Sequence, residues 1–504
     1  MTEATPVAFV LDGAEVAVPG DGRSLLDALR GLGVRSVKDG CSPQGQCGCC
    51  TVWVDGQPRV ACVTPIARVA GRRITTVLGI DDGAEWAQRL CASGGSQCGF
   101  CTPGIVMRLA AIPEAQRSEP AVRQALLAHL CRCTGWNTVV EAACAPVDAA
   151  PRDMEAAARR AALEGGVPQV VGPEVALGEG GFATDTAPAD ALVALRRADG
   201  EWVAAASLAE ARVAVGKVQG RRTTEPVRWP VQLPDGPWVR TLRTTWVDPA
   251  YLEPDAAWCV PGGEPVGPAG NGGAFGAKHA SEVAGAARRL ADQHGRPVLA
   301  TYTREDVVRL GAKRPPIAAG VRADGTGVVR VVRTEGIAAR IHSVAPQFEV
   351  EEVDVAGPPT DASVRGAGWV EAAVLLAPSD GWITAPNGAR AHAEVHGDRS
   401  VHVRVRCGAP LDAVVLRSYC IGAVHMALGW VRHEGLSVGD EGVPLDLTIR
   451  SFGVLRAVDT PSIDVEIEPS DDEPVNGSDA VFAAVALAAW RAGGFTPQWP
   501  TMRT

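Results

Sequence analysis

Apolar residues at Val7, Phe9 and Leu11 alternate with neighbours of other character, stop at Asp12-Gly13, and resume at Val16 and Val18, which predicts a hairpin over 7–18. Ser24 stands where an N-cap would start a helix running to Leu32. From Lys38 to Cys50 periodicity disappears and glycine and cysteine take over, so a loop is expected. Thr51-Val52-Trp53-Val54 followed by Asp55-Gly56 reads as a strand and turn, in a unit that closes near Gly79. Helical spacing then appears in Ala87, Leu90 and Cys91, in Ile105, Leu109 and Ala110, and in Val122, Leu126, Leu127 and Leu130. An Ala- and Pro-rich stretch follows, with a short helix expected over Glu155–Leu163. Beyond it, Val283–Gln293 reads as a helix, and Val401–Val405 and Ile463–Ile467 as strands. The pattern predicts an α+β multidomain chain: a first unit over 1–80, a helical unit over 81–146, a linker over 147–166 and an α+β region over 167–504.

Composition narrows the function classes. A chain of 504 residues is too long for one ordinary core, and 46% hydrophobic against 21% charged residues is a globular balance. The net charge of −10 disfavours nucleic acid as a partner, because phosphate binding needs a basic face. No run of roughly 18 apolar residues is free of charges or turn signals, so no membrane span is expected. The start, MTEATPVAFVLDGAEV, has no basic stretch ahead of an apolar one, and a cytoplasmic location is the expectation.

Cysteine changes the picture. Of fourteen cysteines, ten lie between Cys41 and Cys133, a local density that favours metal over disulfides. Cys41, Cys47, Cys50 and Cys62 give a loop triplet and one distant thiol, the arrangement a 2Fe–2S cluster needs. Their Cys-x5-Cys-x2-Cys spacing is one residue longer than the plant-type loop, and Cys49 could replace Cys50 on spacing alone. Gly40, Gly45 and Gly48 permit positive φ and close backbone approach to sulfur. Cys98-x2-Cys101 and Cys131-x-Cys133 make a second quartet, whose close second pair is unusual for zinc. A zinc-stabilised scaffold is the bland alternative. Cys91 and Cys144 read as core thiols.

DGCSPQGQCGCC, QCGFCTPG and CRCTGW, in this order, resemble the iron–sulfur part of the molybdenum hydroxylases, the xanthine dehydrogenase and aldehyde oxidase family, over about residues 5–145. The resemblance implies a β-grasp 2Fe–2S ferredoxin-like domain followed by a four-helix 2Fe–2S domain. It also implies a helical-domain cluster near molybdopterin, with Gln97 beside the pterin, and a ferredoxin-like cluster that hands electrons to flavin. VDPAYLEPDAAW, GGAFGAK, GRPVLATYTRED, KRPP and RGAG continue it more faintly, as pieces of a molybdopterin-binding domain. There Gly272, Gly273, Phe275 and Gly276 would lie against the cofactor, and Arg365 near the metal.

Departures from the family limit what carries over. The molybdopterin-like region is shortened, with nine residues between Pro261 and Asn271 where relatives carry a cofactor-binding glutamine. His279 stands where purine-oxidising relatives often carry a glutamate, and Glu473 and Asp479 are poor matches to the catalytic glutamate. The expectation is therefore no catalytic residue in this chain. It would be the iron–sulfur electron-transfer subunit of a multi-subunit molybdenum hydroxylase. Molybdopterin would lie in a catalytic partner chain or at the interface with it, and FAD in a separate flavin subunit. The rival expectation is a self-contained hydroxylase of an N-heterocycle or aldehyde. His425, Cys407 and Cys420 read as core residues without a site role.

Overall fold

A computed structural model describes residues 5–145, 151–216, 220, 222–267 and 272–502. The expected hairpin forms as β1 (Val7–Leu11) and β2 (Ala14–Val18) in antiparallel register. Its turn residues Asp12 and Gly13 both take positive φ, the twist a two-residue hairpin needs. Asp12 then accepts hydrogen bonds from the Thr76 amide and hydroxyl, pinning the turn to the end of the unit. α1 (Leu25–Gly31) starts at Ser24 with a complete capping box to Asp27 and buries Leu25, Leu26 and Leu29. β3 (Thr51–Val54), β4 (Gln57–Val60) and β5 (Arg73–Thr75) complete a five-stranded sheet in the order β2-β1-β5-β3-β4. β5 is parallel to β1 and antiparallel to β3.

Four helices follow: α2 (Gly83–Ser93), α3 (Thr102–Ala110), α4 (Glu119–Ala125) and α5 (Asn137–Cys144). They share one apolar core with the sheet, built on residues such as Val52, Leu90, Ile105 and Trp136.

The stretch expected as a linker divides. Residues 147–150 lie outside the described residues, but α6 (Met154–Gly165) is an integral core helix. Fully buried Arg160 on α6 pairs with Glu164 and donates to the carbonyls of Ala409, Pro410 and Val475. Glu164 in turn accepts from the amides of Gly477 and Ser478, which open the Ser478–Ala492 helix. A buried ion pair with its remaining valences filled cannot act as a loose tether.

Among the described residues, the rest of the chain forms three four-stranded sheets and several helices. The strands expected at 401–405 and 463–467 pair in parallel as Val401–Arg406 and Ile463–Ile467, and the expected helix is Val283–His294. The centre is the Ala413–Arg432 helix, packed against Ser478–Ala492. It is long and apolar enough to cross a membrane, yet it is apolar all round because protein covers most of it.

Candidate iron–sulfur centres

The loop between α1 and β3 carries Cys41, Cys47 and Cys50 of the first quartet, and Cys62 follows directly after β4. Cys41, Cys47, Cys50 and Cys62 are all buried. Cys41 reaches the thiols of Cys47 and Cys62, and Cys62 reaches that of Cys50, so the four sulfurs form one contiguous set. The amides of Gln44 and Gln46 point at Cys41 Sγ (3.1 and 3.4 Å), and the Cys62 amide points at Cys50 Sγ (3.4 Å). N–H groups aimed at sulfur favour thiolate, and the thiol partners hold Cys41 well below the usual cysteine range. The glycines serve close approach. A Cβ at Gly40 would stand 3.1 Å from the sulfurs of both Cys47 and Cys49, and at Gly48, with φ +75°, it would overlap the His129 ring. Cys49 adjoins Cys47 and feels Cys41, Cys50 and Cys131, which puts it between the two quartets.

Cys98, Cys101, Cys131 and Cys133 come from the loop before α3 and the loop before α5. Cys133 lies 3.6 Å from Cys98, Cys131 touches Cys101, and Thr134 Oγ1 is 3.2 Å from Cys131 Sγ. The Cys101 and Thr134 contacts pull Cys131 down to about 6, while the shared thiol hydrogen bonds and then burial push Cys101 and Cys133 up. Cys98 is half-buried, and the other three are buried. Cys91 and Cys144 belong to neither set. Four converging sulfur donors per quartet, with backbone donors aimed at the first, suit 2Fe–2S clusters.

A short bonded path joins the quartets. The Leu130 amide donates to the Cys47 carbonyl at 3.0 Å, linking the residue before Cys131 to a cysteine of the first loop. The His129 ring packs on Gly48 with Nε2 3.2 Å from the Gly104 carbonyl and 3.3 Å from Thr51 Oγ1. Burial pushes its pKa down to about 3, so the ring between the loops is neutral. Arg450 donates to the carbonyls of Gln46 and Leu127, tying the two loops from outside. Neither His129 nor Arg450 was visible as a site residue in the sequence, because each acts through backbone carbonyls and belongs to no spacing motif.

The residues expected beside molybdopterin do not form a place for it. Gln97 is buried and donates to the Cys133 carbonyl (3.1 Å) and to Ser418 Oγ (2.9 Å) on the Ala413–Arg432 helix. Gly422 of that helix lies so close that a Cβ would overlap the Cys133 carbonyl. The GGAFGAK glycines make close approaches too, but to protein: Gly272 to Glu253, Gly273 to Arg132, and Gly276 to the Ser363 carbonyl. Phe275 packs edge-on to Tyr419 with the Arg365 guanidinium 4.5 Å from its ring centre. The cavity lined by Gly273, Phe275 and Arg365 holds about 40 Å³, against the several hundred that ligands of this size occupy. Its walls are tied by the Arg132–Glu434 and Arg314–Glu371 pairs. Gln97 Oε1, Arg132 Nε and Arg365 Nη1, buried without a partner among the described residues, point the other way. A volume this small decides against the pterin. Arg365 pairs with Asp479 (2.7 Å) through Nε and donates to Ser478 through Nη2, and Glu473 and His279 are exposed. The segment ending at Asn271 lies partly outside the described residues.

Comparison with known proteins agrees with the two quartets. A family described as a 2Fe-2S iron-sulfur cluster binding domain matches residues 4–77, and a 2Fe-2S binding domain matches 76–144. The xanthine dehydrogenase iron-sulfur-binding subunit of Escherichia coli O157:H7 is 40% identical over 131 residues, covering 25% of this chain and 80% of that subunit. The chain belongs to the molybdenum hydroxylase family. The xanthine dehydrogenase of Emericella nidulans is 42% identical over 135 residues, but this hydroxylase-family chain spans about 10% of its length. The aldehyde oxidoreductase structure from Desulfovibrio gigas superposes with a TM-score of 0.68 at 15% identity, covering 99% of each chain. That from Desulfovibrio desulfuricans gives 0.65 at 14%, covering 96% of this chain and 97% of the other. The fold shared with these aldehyde oxidoreductases thus extends through the region after residue 145, even though the sequence match stops near there. Two 2Fe–2S domains and an electron-transfer role in an oxidoreductase follow from family membership.

Proposed function

We propose that this chain is the iron–sulfur component of a multi-subunit molybdenum hydroxylase. It receives electrons from a molybdopterin-binding catalytic partner and passes them to a separate flavin subunit. The observation that carries the reading is the pair of sulfur quartets joined through the Leu130 amide and the Cys47 carbonyl. A 2Fe–2S cluster, when bound, takes up one electron at a time. Cys41, Cys47, Cys50 and Cys62 hold the first cluster, and Cys98, Cys101, Cys131 and Cys133 hold the second. Cys98, the half-buried member of its set, marks the edge where electrons enter. Cys62, followed by the exposed Val63, marks the edge where they leave. The region after the helical domain braces these loops and serves for docking, with its closed pterin face as the support for a non-catalytic role. Dense free cysteines suit a reducing compartment, so the complex works in the cytoplasm.

Metal analysis of the anaerobically purified chain tests this directly. About four irons per chain, two distinct paramagnetic centres after reduction and no molybdenum are expected. Molybdenum in stoichiometric amount, or substrate turnover by the isolated chain, would establish the self-contained hydroxylase instead. Purification of the native complex should recover a molybdopterin subunit and a flavin subunit.

A further inference from the structure

At the C-terminal end of the Ala413–Arg432 helix a cleft of about 870 Å³ opens beside the cluster loops. Its lining holds Arg222, Arg399, Arg432, Arg450 and Arg456 against two aspartates, Asp398 and Asp459, in a chain whose net charge is −10. Both aspartates are committed locally. Asp398 accepts from the Ser400 amide and hydroxyl, and Asp459 is paired with Arg456. Arg450 is spent on the carbonyls of Gln46 and Leu127.

Arg399 and Arg432 have no side-chain acceptor among the described residues. Arg432 is half-buried, and burial together with the Arg399 charge pushes its guanidinium pKa down. The carbonyls at the end of its own helix offer no relief. Gly429 accepts from the His433 and Glu434 amides, Val431 from Thr501, and Arg432 from Met502. Two guanidiniums near each other with no carboxylate hydrogen-bonded to either leave donors unfilled in the free protein, and a doubly charged oxyanion is the group that satisfies both by charge-assisted hydrogen bonds. The lining also carries apolar side chains, Leu428, Leu455 and Met502 among them. That pairing of an anion-seeking corner with an apolar face, in a volume within the range of small-molecule sites, describes a phosphorylated ligand with a hydrophobic or aromatic body.

We infer that this cleft binds a phosphate-bearing ligand of nucleotide size, its phosphates on Arg399 and Arg432 and its base or other ring body against Leu428, Leu455 and Met502. The site is set apart from the closed pterin cavity. It adjoins the relay directly, because Leu130 lines it and Arg450 reaches from it to both cluster loops. The inference does not depend on which partner supplies or removes electrons.

Calorimetric titration of the full chain, with its clusters loaded, tests the site with ADP, inorganic pyrophosphate and adenosine as probes. ADP should bind saturably, pyrophosphate more weakly, and adenosine not measurably. Arg432→Gln and Arg399→Gln should each weaken ADP at least about tenfold, the loss of a charge-assisted bond. Arg399 is exposed on a turn between strands, so its replacement keeps the fold even if the Arg432 variant does not, and the visible cluster spectrum reports which case applies. No saturable ADP binding below about 1 mM, or equal ADP affinity in the wild type and the Arg399 variant, would overturn the inference. Binding of a glutamate-rich peptide without ADP binding would assign the cleft to a protein partner and overturn it equally.

Discussion

Leu130 and Cys47, distant in sequence, meet through one backbone hydrogen bond of 3.0 Å, and that bond draws the two sulfur quartets into a single structural unit. Gly48, directly after Cys47, makes the approach feasible by leaving room for the His129 ring.

Gly48→Ala therefore should disturb both centres at once. The new methyl group would strike His129, and the residue holds φ +75°, so overpacking of about 1–3 kcal/mol is expected with further strain from the left-handed backbone. Electron paramagnetic resonance of the reduced protein should show altered lines for both clusters. A change confined to one would contradict the shared scaffold.

Single cysteine replacements separate ligands from bystanders. Cys62→Ser and Cys133→Ser should each remove a different paramagnetic signal and lower iron from about four to about two per chain. Cys50→Ser should behave like Cys62→Ser, whereas Cys49→Ser should leave iron near four. Loss of iron in the Cys49 variant alone would exchange the two assignments.

Glu434 meets Arg132 in a buried two-pronged pair with contacts of 2.6 and 2.7 Å. Glu434→Gln leaves a buried guanidinium without its counter-charge and should destabilise the chain by about 3 kcal/mol. Denaturant unfolding measures it, and a loss below about 1 kcal/mol would mean that water reaches the pair.

Acid should weaken the core through His425. Its Nε2 contacts the Leu455 carbonyl at 3.0 Å, and burial plus the nearby Arg132 charge lower its pKa from 6.5 to about 4. Above pH 6.5 the ring is neutral folded and unfolded, so it adds no pH dependence there. As pH falls from 6.5 to 4 the unfolded chain takes up a proton that the folded chain refuses, and stability drops by up to about 3 kcal/mol. His425→Gln should flatten that part of the stability profile, as measured by urea unfolding at a series of pH values.

Local chemistry made the first 145 residues legible. A two-residue Asp-Gly turn, a Ser24–Asp27 capping box and cysteine spacing are short-range signals; the hairpin and the capped helix are present, and the two sets of cysteines lie close together. The preference for Cys50 over Cys49 came from its position directly before β3, and iron content of the two variants decides it. What escaped was long-range. The insertion of β5 between β1 and β3 depends on pairing that no short window records. α6 was readable as a helix, but its alanine-rich face resembled a tether because the partners that bury Arg160 lie far along the chain. Gln97 and the GGAFGAK glycines carried a family pattern whose usual consequence is absent, since Ser418, Gly422, Arg132 and Ser363 occupy the approaches they permit.

The Ala413–Arg432 helix lies across the loop of Cys131 and Cys133 and is synthesised long after it. Gly422 of that helix sits on the Cys133 carbonyl and Ser418 accepts from Gln97. The backbone around the second quartet is therefore held by a contact more than 280 residues away in sequence, so a truncation that removed the helix would leave those four thiols without their distal wall.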